Sequence, residues 1–369
     1  MIAVEFREVS KAYHHQLVLQ NVSFSIKAGT FAVIFGPPGC GKSVLLRLIT
    51  GLEKPSSGRI LLRGVDVTGV SPGERNIGYV PQAFALYPHY SVRDNVAYPL
   101  ALMGVARTEI DSSVRRVAEM LHIDHLLDKK PHQLSGGEKQ RVAIARGIVK
   151  QTEIYVLDDP LTGLDFKLRE QLFDDLKQLQ QSLQATFIYT TSDPIEALML
   201  ADQAAIVDSG QVVETGPLEQ LYWEPLHVRT MELLAFPKAN LLSGTLFVRS
   251  DQLWCQTDLF TFPARIDPAV GAIDEARPVQ VAVRPQHITF GVTEPDGLLT
   301  CRAQVMLWED LGGEVIVHLD VQGTRLVTVV SHDGDRLLGD ETITIGIAPT
   351  AIVLFEPDTG RRIGQGVGM

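Results

Sequence analysis

Cysteine is scarce in this chain, with only Cys40, Cys255 and Cys301 among 369 residues. Three widely spaced cysteines exclude a disulfide framework and a cysteine-based zinc site, and they favour a reducing compartment. Long apolar runs are missing too, because no stretch reaches the roughly 18 uncharged apolar residues of a membrane helix. The first residues carry charge from Glu5 onward and alternate like a strand, unlike a signal peptide. The sequence therefore predicts a cytosolic location, or attachment to a membrane from the cytoplasmic side only.

An excess of positive charge is also absent, since 33 Lys and Arg residues stand against 44 Asp and Glu, a formal net charge of −11. A general nucleic-acid binder would need a basic face that this balance does not indicate. Hydrophobic residues make up 45% and charged residues 21%, which is typical of a globular protein and excludes disorder as the dominant state. The length predicts two or three domains.

Two domains are predicted from the change of pattern along the chain. Residues 1–236 alternate short apolar runs with helical segments, which predicts an α/β domain with a largely parallel sheet. The strands expected here are 31–35, 154–157 and 186–189, and the helices are 42–51 and 166–183. Residues 240–369 read as an all-β domain, a small barrel or sandwich, with strands near 279–283, 315–321, 326–330 and 342–347. Gln322-Gly323 is the predicted hairpin turn between two of them.

A glycine-rich segment at residues 36–43 matches the phosphate-binding P-loop pattern G-x-x-x-x-G-K-[ST]. It lies between a buried strand and a helix, where backbone N–H groups can surround phosphate oxygens at the positive end of the helix. Lys42 would reach the β- and γ-phosphates of ATP, and Ser43 would bind Mg²⁺. The predicted ATP-binding residues of this segment are Gly36, Pro38, Gly39, Cys40, Gly41, Lys42, Ser43 and Val44.

The apolar strand that ends in Asp158 predicts the second nucleotide element, an acidic side chain beside the P-loop. A carboxylate in this position would hold the Mg²⁺ ion. Many buried strands end in Asp, so the signal gains its weight only from the P-loop.

The run from Leu134 to Gln140, Leu-Ser-Gly-Gly-Glu-Lys-Gln, is the most specific stretch of the chain. Here, and in the spacing of the P-loop, Gln82 and Asp158, the sequence resembles the ATP-binding cassette (ABC) family. Ser135 and Glu138 also form a capping-box pattern, and a capped helix start is itself an anion site. The resemblance implies that Ser135, Gly136, Gly137 and Gln140 serve ATP held by a second subunit, so dimerisation is implied.

Further positions follow from the same resemblance. Tyr13 falls where the family stacks an aromatic ring on adenine, with Val18 nearby. Gln82 matches the loop that senses the γ-phosphate, contributes to the metal site and touches the membrane partner. Asp165 matches the loop that crosses between paired cassettes.

The later parts of the chain resemble the carbohydrate-importer branch, the maltose-type or glycerol-phosphate-type ATPase subunits. The residues that carry this likeness are Tyr87-Pro88-His89, Glu224-Pro225, Val283-Arg284-Pro285 and the segment 354–360. The resemblance implies a C-terminal regulatory domain of oligonucleotide/oligosaccharide-binding (OB) type. It also implies two membrane permease subunits, an extracytoplasmic solute-binding protein and a location on the cytoplasmic face of the inner membrane.

Two positions of the expected catalytic site depart from the family pattern. The family has Glu after the magnesium Asp to activate water, and this chain has Asp159. The family has His in the later switch loop, and this chain has Ser192. Pro38 and Val44 are milder departures, each removing at most one phosphate contact. These departures predict an ATP site that binds well and hydrolyses poorly, paired with a non-identical subunit that keeps Glu and His.

The leading hypothesis is the ATP-binding subunit of an importer for a sugar-like or polyol solute. The alternatives are a competent homodimeric importer ATPase, a soluble cassette protein outside transport and an ATP-sensing regulatory module.

Overall fold

The computed structural model describes residues 1–271, 273, 275–292, 297–331 and 342–368, with Phe166 described by its backbone only. The chain divides into two compact units, Met1–Gln220 and Leu221–Met369. Its helices are α1 (Lys42–Thr50), α2 (Val92–Leu102), α3 (Arg107–Met120), α4 (Gly136–Ile148), α5 (Phe166–Leu183), α6 (Pro194–Leu200), α7 (Leu218–Trp223) and α8 (Val228–Leu233).

The first unit holds two sheets. Its strands are β1 (Ile2–Tyr13), β2 (Gln16–Lys27), β3 (Phe31–Phe35), β4 (Ser57–Leu62), β5 (Val65–Asp66), β6 (Gly78–Val80), β7 (Ile154–Asp158), β8 (Thr186–Thr191), β9 (Gln203–Asp208) and β10 (Gln211–Pro217). A four-stranded antiparallel sheet has the order β2-β1-β4-β5. A six-stranded sheet has the order β10-β9-β3-β8-β7-β6, parallel except for the edge strand β10.

The strand order of the parallel sheet explains where a site can form. β8 lies between β3 and β7, with Phe35 opposite Thr191 and Asp158 opposite Thr190. All residues of β3, β7 and β8 are buried, as expected for parallel strands covered on both faces. The carboxyl ends of these three strands therefore meet at one edge, where ligands bind in open α/β sheets.

The second unit is all-β apart from its short helices. Its strands are β11 (Asn240–Arg249), β12 (Gln252–Thr257), β13 (Thr261–Ile266), β14 (Arg277–Val283), β15 (Ile288–Phe290), β16 (Leu299–Asp310), β17 (Glu314–Val321), β18 (Thr324–Ser331), β19 (Thr342–Ile347), β20 (Val353–Phe355) and β21 (Arg362–Gly366). In the described residues they form a closed barrel, β11-β12-β13-β21-β20-β14, and a five-stranded sheet, β15-β19-β16-β17-β18.

The predicted fold class, an α/β P-loop domain followed by an OB-like all-β domain, is confirmed. The predicted turn joins β17 to β18, where Gln322 and Gly323 both have positive φ angles, 55° and 88°. Two successive positive φ values define the type I′ turn that suits a two-residue hairpin. The sequence did not predict the four-stranded antiparallel sheet or the division of the second unit into a barrel and a separate sheet.

Candidate nucleotide-binding site

Lys42 is held at the start of α1 by the loop that follows β3. Its ammonium donates to the carbonyl oxygens of Gly36 at 2.7 Å and Pro37 at 3.0 Å, and to Ser192 Oγ at 3.3 Å. All three acceptors are neutral, and the residue is 8% exposed. A buried cation without a carboxylate partner in the described part of the chain is suited to an incoming anion.

Glycine is required in this loop for two reasons. A Cβ on Gly36 would lie 2.0 Å from the carbonyl oxygen of Val207, so no larger residue fits beside β9. Gly41 caps α1 with a φ of 108°, in the left-handed region that disfavours side chains. The loop therefore presents backbone, not side chains, at the N-terminus of α1, where helix dipole and free N–H groups attract phosphate.

Asp158 accepts two hydroxyl hydrogen bonds at the end of β7. Ser43 Oγ donates to Asp158 Oδ1 at 2.9 Å, and Thr190 Oγ1 donates to the same oxygen at 3.0 Å. Hydroxyl and carboxylate oxygens are hard donors of the kind that Mg²⁺ prefers, and Mg²⁺ usually needs only one or two of them. The pair Ser43 and Asp158 thus fits the predicted metal role. Among the described residues, no group of three or more His, Cys, Asp or Glu side chains is arranged to hold a metal.

Asp159 and Gln82 face each other across the same cleft. Gln82 Nε2 lies 3.5 Å from Asp159 Oδ2, so its amide nitrogen points to this carboxylate. Asp159 has a φ of 43°, and its N–H donates to Thr190 Oγ1 at 3.0 Å. Thr190 therefore fixes both acidic residues. Sequence reasoning missed it, although a buried threonine at the carboxyl end of β8 was a usable signal.

The cleft has a volume of about 310 Å³. It brings together twelve residues, of which only Thr190 was not predicted: Val18, Pro38, Gly39, Gly41, Lys42, Ser43, Val44, Gln82, Asp158, Asp159, Thr190 and Ser192. Cys40 is 5% exposed, and burial raises the pKa of its thiol, so the neutral form persists.

Tyr13 lies outside this lining, at the end of β1. Its hydroxyl donates to the carboxylate of Glu53, and the ammonium of Lys11 lies 4.8 Å from its ring centroid. Burial, followed by the hydrogen bond to Glu53, raises the pKa of Tyr13 to about 12. Glu53 was not predicted from the sequence.

The signature segment begins α4 and does not line the cleft of its own chain. Ser135 Oγ accepts from the N–H of Glu138 at 3.3 Å, and Glu138 Oε2 accepts from the N–H of Ser135 at 2.7 Å. This capping box lowers the pKa of Glu138 through the hydrogen bonds from Ser135. A Cβ on Gly136 would meet open space, whereas one on Gly137 would lie 2.1 Å from Leu168 of α5.

One predicted signature residue is buried within its own chain. Gln140 is 1% exposed, and its Nε2 has no hydrogen-bond partner among the described residues. The signature motif does not predict this burial, because the first turn of a helix does not show which later residues face inward. The role of Gln140 toward a second subunit stays a prediction from the family resemblance.

Asp165 caps α5, where its side chain accepts from the N–H of Leu168 at 3.0 Å. One turn later, Arg169 Nη1 donates to Asp193 Oδ2 at 2.9 Å. Asp193 is the residue that follows Ser192. The loop expected to cross between subunits is therefore tied to the switch loop of its own chain. Arg169 was not predicted, because its partner is 24 residues away in the sequence.

A P-loop after one parallel strand, an acidic residue at the end of another and a capped Ser-Gly-Gly helix together define a cassette-type nucleotide-binding protein. The ABC transporter family profile matches residues 19–162, and a TOBE domain profile matches residues 281–355. The chain belongs to the ABC transporter family.

Its relatives include three import proteins that it matches over nearly the whole length. It is 35% identical to a maltose/maltodextrin import ATP-binding protein of Photorhabdus laumondii, over 97% of this chain and 96% of the relative. It is 36% identical to a sulfoquinovosyl glycerol transport ATP-binding protein of Agrobacterium fabrum, over 98% and 100%. It is 36% identical to an sn-glycerol-3-phosphate import ATP-binding protein of Ruegeria pomeroyi, over 99% and 100%. The predicted likeness to the carbohydrate-importer branch is confirmed.

Two solved cassette structures are similar in fold to 58–60% of this chain. The dimeric ATP-binding cassette MJ0796, in a post-hydrolysis state bound to ADP and Pi, is 30% identical with a TM-score of 0.54, over 58% of this chain and 98% of that chain. CbiO1 from Clostridium perfringens is 30% identical with a TM-score of 0.57, over 60% and 91%. Within the part of the chain that the structure describes, no helix is long and apolar enough to cross a membrane.

Proposed function

We propose that this chain is the ATP-binding subunit of an importer for a sugar-like or polyol solute, and that its own ATP site binds Mg-ATP but hydrolyses it slowly. The importing relatives support the solute class, since their names span maltodextrin, a sulfosugar glycoside and glycerol phosphate. The observation that carries the ATP role is the buried ammonium of Lys42, held by neutral oxygens beside the Ser43–Asp158 pair.

Five residues of the cleft have defined tasks in this proposal. Lys42 and the N-terminus of α1 bind the β- and γ-phosphates, while Ser43 and Asp158 would hold Mg²⁺, with Gln82 close by. Bound Mg²⁺ supplies neutralisation of phosphate charge. Asp159 is the group available to orient and deprotonate an attacking water.

Two features support slow hydrolysis. Asp159 lacks one methylene relative to Glu, which retracts its carboxylate by about 1.5 Å. A misplacement of about 1 Å can cost about a hundredfold in rate. Ser192 is the second feature, because its hydroxyl accepts from Lys42 at 3.3 Å and cannot supply the N–H donor of an imidazole. A subunit with Glu and His at the matching positions would then form the competent site, completed by Ser135 and Gly136 of this chain.

The segment Ala83–Tyr90 is the proposed contact with the membrane subunits, at the cytoplasmic face of the inner membrane. Tyr87 and Tyr90 are 40% and 41% exposed, with ring centroids 5.4 Å apart. Arg146, in the last turn of α4, donates to the carbonyl oxygens of Phe84 at 2.9 Å and Ala85 at 2.6 Å. The segment is therefore fixed to α4, the helix that begins with the signature. This contact links the proposed docking surface to the proposed nucleotide-binding end of α4.

A cysteine at Tyr90 should form a crosslink with a cysteine in a cytoplasmic loop of a permease subunit when the assembled importer is oxidised. Tyr87→Cys would remove the ring beside Arg146, so Tyr90→Cys is the cleaner variant. Cys40 and Cys255 are buried and should stay unreactive. The control is Val65→Cys, at a residue 65% exposed in β5, away from this segment. Equal crosslinking of both variants, or none with any permease loop, would contradict the docking assignment.

A further inference from the structure

Glu53 is the centre of a cluster of side chains just after α1, the helix that begins with Lys42 and Ser43. Its carboxylate accepts from the hydroxyl of Tyr13, from Arg47 Nη1 at 3.2 Å and from Lys11 Nζ at 3.3 Å. The Glu53 side chain is 18% exposed and that of Lys11 is 14% exposed. Three donors from two elements, β1 and α1, thus converge on one half-buried carboxylate.

The backbone of Glu53 is held by the phosphate-binding helix itself. Its N–H donates to the carbonyl oxygen of Arg47 at 3.1 Å, just after α1 ends at the left-handed cap Gly51. α1 is also the helix that begins with Lys42 and Ser43. The position of the Glu53 carboxylate is therefore set relative to the phosphate end of the site.

Lys11 closes one face of the Tyr13 ring. Its ammonium lies 4.8 Å from the ring centroid and also donates to the carbonyl oxygen of Lys54 at 2.8 Å, which keeps it in place. A flat aromatic base can then stack only on the opposite face. Tyr13 is 37% exposed, so ring surface is available for that contact.

We propose that Glu53 is a positioning residue for the base of the bound nucleotide. It holds the Tyr13 ring at a set distance from the P-loop helix, and Lys11 restricts stacking to one ring face. The protein would then bind the nucleotide at both ends, with its phosphates at Lys42 and its base on Tyr13. This inference rests on the proposed ATP site and adds to it a residue that acts through Tyr13.

The charges of the cluster agree with this role. Burial raises the pKa of Glu53, but the hydrogen bonds from Tyr13, Arg47 and Lys11 outweigh it, so the pKa is lowered overall. Glu53 therefore remains an anion at neutral pH and keeps accepting from the phenol. Charged acceptors form stronger hydrogen bonds than neutral ones, which favours a fixed ring.

The competing explanation is an ion-pair cluster that only stabilises the loop after α1. A stabilising cluster would affect every ligand of the P-loop alike. A positioning residue would affect only ligands that carry a base. ATP and inorganic tripolyphosphate provide this comparison, because both present phosphates to Lys42 and only ATP carries adenine.

The experiment measures competition of ATP and of tripolyphosphate against a fluorescent ATP analogue in the full-length protein. Glu53→Gln and Tyr13→Phe should each weaken ATP binding by about fivefold to tenfold, as expected for loss of one charge-assisted hydrogen bond. Tripolyphosphate affinity should change by less than about twofold. The double variant should be no weaker than either single variant, because both remove the same interaction.

The matched control is Glu5→Gln, which removes a half-buried carboxylate paired with Arg7 on the same strand β1. It should leave both affinities unchanged. Equal losses for ATP and tripolyphosphate, or additive effects in the double variant, would overturn the positioning role of Glu53.

Tyr13→Phe retains the ring and does not depend on whether the Glu53→Gln variant folds. If the wild-type protein bound neither ligand, the proposed ATP site would fail. If it bound ATP through Lys42 and both variants matched it, only this inference would fail.

Discussion

Lys42→Ala should reduce ATP affinity by at least about a hundredfold, the loss typical of removing one partner of a buried charge contact. The ammonium of Lys42 is buried and has only carbonyl and hydroxyl acceptors. Among the described residues that line the cleft, Lys42 is the only Lys or Arg, so no second cation of the lining is placed to replace it at the phosphates. Direct titration with Mg-ATP by calorimetry measures the effect.

Lys27→Ala is the control for this substitution. Lys27 ends β2, is exposed and does not line the cleft, so its loss should leave ATP affinity unchanged. Unfolding curves should show that both variants remain folded. An unchanged affinity in Lys42→Ala would refute the P-loop assignment.

Ser135→Arg should abolish transport by the assembled importer. The substitution removes the N-cap of α4 and adds a large cation beside Gly136, where a Cβ would meet open space and where we propose that the partner subunit's nucleotide binds. Loss of an N-cap alone costs about 1 kcal/mol, which would lower stability without blocking the site. Solute uptake by vesicles that contain the whole complex is the measurement.

Two further variants separate the causes. Ser135→Asp keeps a capping side chain but sets a negative charge against the phosphate, so it should also stop transport. Ser112→Arg adds the same cation on the exposed face of α3 and should be harmless.

Asp159→Asn should have little effect, since it lies in the site already proposed to be slow. If Asp159→Asn stopped transport while Ser135→Arg did not, the assignment of the two sites would be reversed.

The phosphate end of the site could be predicted because its chemistry is local in sequence. The loop at residues 36–43 and the strand that ends at Asp158 carry their roles in short, ordered patterns. The predicted strand 31–35 and helix 166–183 have the bounds found for β3 and α5. Here sequence neighbours are also neighbours in space.

The contacts that hold Tyr13 and Asp158 in place could not be predicted, because their partners are distant in sequence. Tyr13 and Glu53 are 40 residues apart, and Thr190 reaches Asp158 across 32. The pairing of β1 with β4, which begins four residues after Glu53, and of β8 with β7 brings these side chains together. The burial of Gln140 was not predicted either, because the family motif does not show which residues of α4 face inward.

We infer that this chain binds Mg-ATP but turns it over slowly because of Asp159 and Ser192. The most direct test is steady-state hydrolysis by the purified wild-type chain beside the double variant Asp159→Glu, Ser192→His, each with its ATP affinity measured. We expect similar affinities and a kcat about a hundredfold higher for the double variant, since a longer carboxylate and an imidazole donor return to the cleft. Brisk hydrolysis by the wild-type chain, with no gain in the double variant, would contradict the account and leave a competent homodimer in its place.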